Sequence, residues 1–175
     1  MKKKTKKRTH FFEYANVNVI QPQTKFGNYW RTYGIKKNLL DAGIDIYHGL
    51  SHEIPVNLNK QKIKSVVTIH DLIFKHYPQQ FPLLDRLLYD AKFKYACQNA
   101  DAIVAISEHT KQDIIQFYNI DPQKITVIYQ TCHDRFKRPM EEAELDAVAQ
   151  EFHLPSEFML YVGSIIPRKK SRRYY

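Results

Sequence analysis

The sequence predicts an α/β protein, a Rossmann-like parallel sheet with flanking helices. Two observations predict it. Short apolar runs alternate along the chain with longer stretches of helical periodicity, the order that builds βαβ units. Two of those runs, Ser65–Ile69 and Ala102–Ile106, are continuous rather than alternating, as in strands covered on both faces.

Strands are expected at Val17–Ile20, Ile44–Tyr47, Ser65–Ile69, Ala102–Ile106, Ile125–Tyr129 and Phe158–Val162, each an apolar run bounded by polar or turn residues. Four helices fall between them. Trp30–Leu40 has Gly43 as its stop. Leu83–Asn99 opens after Pro82 and sets Leu84, Leu88, Ala91 and Tyr95 on one face, with Leu87 beside them. Glu108–Tyr118 follows Ser107 as N-cap and is expected to bury Ile114, Ile115 and Tyr118. Glu141–Phe152 spaces Leu145, Val148, Ala149 and Phe152 for one face.

At 175 residues the chain has room for one domain and a fraction. Residues 136–140 read as a connector, which divides it into a basic tail (1–15), a partial first domain (16–138) and the start of a second (139–175). The net charge of +9 is carried by the ends. Residues 1–8 hold six Lys/Arg and residues 168–173 hold five, leaving 16 of the 27 basic residues against 18 acidic ones between them. A nucleic-acid footprint is expected as a stripe across a folded face, so no specific nucleic-acid partner is expected. Two cysteines, Cys97 and Cys132, make no disulfide framework and read as free thiols in the cytoplasm. No run reaches the roughly 18 apolar residues of a membrane span.

Ligands of open parallel sheets bind outside the carboxyl ends of the strands. The residues expected there are His48, Ser51, His52, His70, Asp71, Ser107 and Glu108, with Gly163 after the last strand. Polar and ionisable groups thus gather on one rim, as a cleft enzyme needs, although strand ends are polar on any surface. His48, His52 and Glu53 with His70 and Asp71 are chemically able to ligate zinc or iron. They stand on loops and show no HExxH or CxxC spacing, so no metal is expected. Cys132 beside His133 is a weak nucleophile pair, because adjacent side chains point apart. His70 and Asp71 also fit a lone acid–base pair. Neither GxGxxG nor GxxxxGK[ST] occurs, which disfavours nicotinamide and P-loop chemistry.

Five segments in order carry a resemblance: Asp45–Pro55, Ser65–Leu72, Ala100–Lys111, Lys124–Tyr129 and Leu160–Lys169. Together they resemble retaining glycosyltransferases of the two-domain GT-B type, family 4, also called glycosyl transferases group 1. The resemblance spans about residues 16–170 and is silent on the sugar.

It implies two Rossmann-like domains across a cleft, the first holding the acceptor and the second the nucleotide-sugar donor. Transfer then retains anomeric configuration and needs no metal or other cofactor. Charge on the leaving diphosphate is met by basic side chains and a helix N-terminus. His70 matches the family histidine that hydrogen-bonds the donor sugar and stands as the catalytic residue. Lys169 matches the lysine on the diphosphate, with Arg168 beside it, and Gly163 matches the glycine that lets a backbone approach the donor. His48, Ser51, His52, Asp71, Ser107 and Glu108 fall on the acceptor-side cleft. Many relatives carry Arg after that glycine; here Ser164 follows it. The family's opening strand, Gly-rich loop and helix are not found before Val17, nor its Glu-x7-Glu segment after Lys169. The chain therefore reads as an incomplete GT-B fold, inactive alone. It is expected to self-associate through the truncated sheet and to contact the inner membrane face peripherally. The alternative is a basic protein that binds nucleic acid or a membrane surface without catalysis.

Overall fold

The computed structural model describes residues 14–22, 24–58 and 62–163. The chain divides into two compact units, Met1–Tyr129 and Gln130–Tyr175.

The first unit is built on one sheet of four parallel strands: β1 Ile46–Gly49, β2 Lys64–Ile69, β3 Ala102–Ala105 and β4 Ile125–Val127, in that spatial order. Register places Val66 opposite His48 and Ala102, and Ile103 opposite Ile125. Val67, Ile69, Ile103 and Ala105 are all fully buried, as the continuous apolar runs demand.

Helices follow in the gaps. Gly27–Tyr29 (α1), a π-helical turn Trp30–Gly34 and Ile35–Asp41 (α2) succeed one another before β1. Gly43, at φ 62°, ends this run as expected, in the left-handed conformation that glycine adopts at least cost. After β2 come α3 (Ile73–His76) and α4 (Leu83–Asn99), and after β3 comes α5 (Glu108–Tyr118). Ser107 caps α5, its Oγ accepting from the Thr110 amide at 3.1 Å. Asn119 closes α5 in the left-handed region. Ile114 and Tyr118 are buried and Ile115 packs against the core, which joins them to Val67, Ile103, Ala96 and Cys97. A satellite cluster of Leu39, Leu58 and Ile63 lies apart from this main core.

Four expectations are corrected. Val17–Ile20 forms no strand; Val17, Val19 and Ile20 are 39–47% exposed. Phe158–Val162 forms none either, with Met159 and Val162 at least 85% exposed. A strand needs a ladder partner, and neither run has one among the described residues. β1 begins and ends two residues later than expected, so His48 stands inside the strand rather than beyond it. The leucine face of α4 is not the core face. Leu84, Leu87 and Leu88 are at least 58% exposed, while Ala96 and Cys97, near the helix end, are buried and Phe93 packs on the core.

The second unit, taken by itself, holds α6 (Glu142–Glu151), whose apolar residues Leu145 and Val148 are exposed. Gly163 is an exposed bend in this unit. Arg168 and Lys169 lie outside the described residues.

Candidate functional site

The carboxyl ends of β1 and β2 bring His52 and His70 together, with His48 inside β1. Gly49 makes the arrangement compact: a side chain there would press into the backbone carbonyl of Glu53, so the chain turns tightly out of β1 only because this position carries none. The turn returns His52 to the sheet, where its amide donates to the Thr68 carbonyl at 3.0 Å. His52 takes a left-handed backbone, φ 62°, to do so.

Each imidazole has a fixed partner. His48 Nε2 lies 2.8 Å from Thr68 Oγ1. His52 Nδ1 accepts from the His70 amide at 3.4 Å. His70 Nε2 lies 2.9 Å from the Leu50 carbonyl, which can only accept, so Nε2 carries the proton. The His52 and His70 rings meet edge to face at 5.1 Å, and His52 stacks flat on Phe93 at 4.3 Å. Burial, then the neighbouring His70, pulls His52 down to about 4. His52 is therefore neutral at physiological pH, the state in which Nδ1 can accept the amide.

Beside this cluster opens a cleft of about 380 Å³ lined by Ser51, His52, Asp71, Glu53, Phe81 and Tyr89, among others. Asp71 Oδ1 accepts from the Ile73 amide at 3.2 Å, which anchors the start of α3. Glu53 is gripped by two cations, Arg31 Nε at 2.7 Å and Lys92 Nζ at 3.2 Å. The lining thus combines aromatic and ionic groups, which suits a ligand with both a C–H face and hydroxyls. A separate cleft of about 480 Å³, bordered by Val19, Gln21, Thr24, Trp30 and Asn38, has no ionisable side chain among its described lining residues.

The structure brings together Ser51, His52, Asp71 and, through His52, His70. Ser107 reaches the cluster at one remove: its Oγ lies 3.0 Å from Thr110 Oγ1, which donates to the His70 carbonyl at 3.1 Å. His48 bonds within the sheet and does not line the cleft, nor does the exposed Glu108. The loop set weighed as metal ligands does not gather three ligand atoms into one group. Sequence reasoning missed Arg31, Lys92 and Phe93, which come from distant helices. Only the acidic Glu53 inside an otherwise neutral loop signalled that cations would be needed.

The glycosyltransferase family 4 model matches residues 5–134, which include the whole sheet and this rim. The chain belongs to glycosyltransferase family 4. Among curated relatives, serotype-specific mannosyltransferases WbdA of Escherichia coli are 30% identical over 132 residues. That match takes in 70% of this chain and 15% of theirs, so the chain spans about a seventh of the length of the relatives it matches. A solved glycosyltransferase from Rickettsia africae ESF-5 aligns over 79% of this chain and 36% of its own, at 17% identity and a TM-score of 0.47. For a family 4 chain, the clustered rim is the candidate site. Among its described residues no helix is long and apolar enough to cross a membrane.

Proposed function

We propose that this chain supplies the acceptor side of a glycosyl transfer from a nucleotide sugar to a glycan or lipid-linked acceptor, with retention of configuration. The observation that carries the reading is the His52–His70 cluster opening onto a cleft with aromatic and ionic walls, in a chain of this family. In this reading His70, held by the Leu50 carbonyl, contacts the donor sugar, while Ser51, Asp71 and the Glu53 clamp receive the acceptor. The mannosyltransferase relatives favour mannose as the sugar transferred.

Residues 16–138 then form the partial acceptor domain and 139–175 the start of the donor domain. Gly163, Arg168 and Lys169 are assigned to the donor diphosphate. Basic side chains stabilise the charge that grows there as the glycosidic bond breaks. The chain works at the cytoplasmic face of the membrane, in polysaccharide assembly. The exposed Leu84, Leu87 and Leu88 offer an apolar helix face for peripheral membrane contact, and self-association runs through the truncated sheet. The basic non-catalytic reading is not favoured, since the family match covers most of the chain.

Titration with mannose-terminated oligosaccharides tests the acceptor role. Saturable binding is expected, weakened by Asp71→Ala, with no nucleoside diphosphate released from nucleotide sugars by the chain alone. Absence of glycan binding overturns the acceptor assignment. Turnover that His70→Ala abolishes overturns the claim that the chain is inactive alone.

A further inference from the structure

Where α3 ends lies a second group of histidines that the glycosyl-transfer reading does not use. His109 and Asp113 are four residues apart on α5 and so share one helical face. His76, the last residue of α3, faces them. His76 Nε2 is 2.8 Å from Asp113 Oδ1, and His109 Nε2 is 3.7 Å from Asp113 Oδ2. The two imidazoles stack at 5.6 Å, and Phe117 walls off the His76 side, edge to face at 5.3 Å. Among the described residues this is the only group of three His, Cys, Asp or Glu side chains whose ligand atoms all lie within 4.8 Å of one another.

We infer that His76, His109 and Asp113 bind a divalent transition-metal cation of the zinc or cobalt class and so tie α3 to α5. Two imidazoles and one carboxylate are the donor set such ions favour. Ligand bonds of about 2.0–2.2 Å place donor atoms roughly 3–3.5 Å apart around a tetrahedral ion. The His76–Asp113 pair already stands near that spacing. His109, whose side chain is 79% exposed, closes the remainder by a rotamer change that shifts its stacking on His76. Burial is graded to suit: the carboxylate is 7% exposed at the base, and the imidazoles stand at the mouth. A buried carboxylate is costly without a positive partner, and a cation bound to it is a stronger partner than one imidazole N–H. Lys75, next to His76, does not fill that role, since its ammonium pairs with Asp90 at 2.6 Å. Water occupies the ion's remaining positions, so the site is a clasp. It fixes the end of a segment that begins six residues earlier at His70.

The test uses the full chain without a polyhistidine tag, titrated with cobalt chloride and followed by visible absorption, then by zinc competition and calorimetry. One cobalt per chain is expected, with a tetrahedral spectrum that stoichiometric zinc abolishes. His109→Ala, at an exposed position that does not threaten folding, is expected to weaken binding at least about tenfold, as is His76→Ala. His133→Ala, in the other unit, is expected to leave it unchanged. Absence of binding at millimolar cobalt or zinc overturns the inference. So does affinity that survives the double substitution of His76 and His109.

Discussion

The amino and carboxyl ends of the sheet are both polar, and they use their polarity in different ways. At the amino end charges meet opposite charges or helix-terminal carbonyls. Asp101 accepts from Lys64 Nζ at 2.8 Å, from the Ser65 amide at 2.8 Å and from Ser65 Oγ at 3.1 Å. Lys124 donates to the carbonyls of Cys97 and Gln98, which end α4. At the carboxyl end imidazoles hold main-chain atoms instead: His52 takes the His70 amide and His70 gives to the Leu50 carbonyl. There an ionic clamp on Glu53 borders an open cleft. One end joins strands to each other; the other holds aromatic and ionisable groups at fixed places beside a cavity. Polarity alone does not separate a seam from a site, but the partners chosen by each polar atom do.

The largest break in this contrast is expected at Gly49. Gly49→Ala forces the new methyl against the Glu53 carbonyl, so the turn must move and His52 with it. A loss of about 2–3 kcal/mol is expected in urea denaturation, at the upper end of overpacking effects. The amino-end seam is expected to give less. Asp101→Ala leaves the amide of the buried Ser65 without its carboxylate, a cost of about 1–2 kcal/mol, and is expected to leave the glycan binding proposed for the cleft unaltered.

A third effect separates the two ends by pH. His52 titrates near 4 in the fold against an ordinary value of about 6.5, so the unfolded chain takes up its proton first. Stability on this account is level above about pH 6.5 and falls as pH drops towards 4. Asp101 is lowered too, but in a carboxylate this favours the charged form: its hydrogen bond from Lys64 holds it below the usual range. Its contribution is complete above the ordinary carboxylate value and is lost only as pH falls further. His52→Asn keeps a residue that tolerates the left-handed backbone and is expected to remove the first slope while leaving the second. Denaturant midpoints measured from pH 8 to 3.5 check it; an unchanged slope in the variant refutes the assignment.

The helices were readable where local chemistry marks their ends. Pro82 and Ser107 fix the starts of α4 and α5, and both helices span their expected residues. β2 and β3 were readable as runs too apolar to face water. Val17–Ile20 and Phe158–Val162 are also apolar runs, but a strand is a relation between two segments, and the partner is not written in the run itself. Periodicity on α4 marks a leucine stripe without saying which stripe the sheet covers. The site divides in the same way. His52, His70 and Asp71 stand out because they follow strand ends. Arg31 and Lys92 were hidden because they reach Glu53 from 22 and 39 residues away, and the His76–Asp113 pair spans 37 residues.

The Leu50 carbonyl holds the His70 ring, while the Leu50 side chain is 68% exposed. Position 50 therefore separates two duties. Its main chain sets the tautomer of the neighbouring imidazole, and its side chain is available to vary. A protein engineer who wants to change the neighbourhood of that imidazole has in residue 50 a dial that turns without detuning the chemistry.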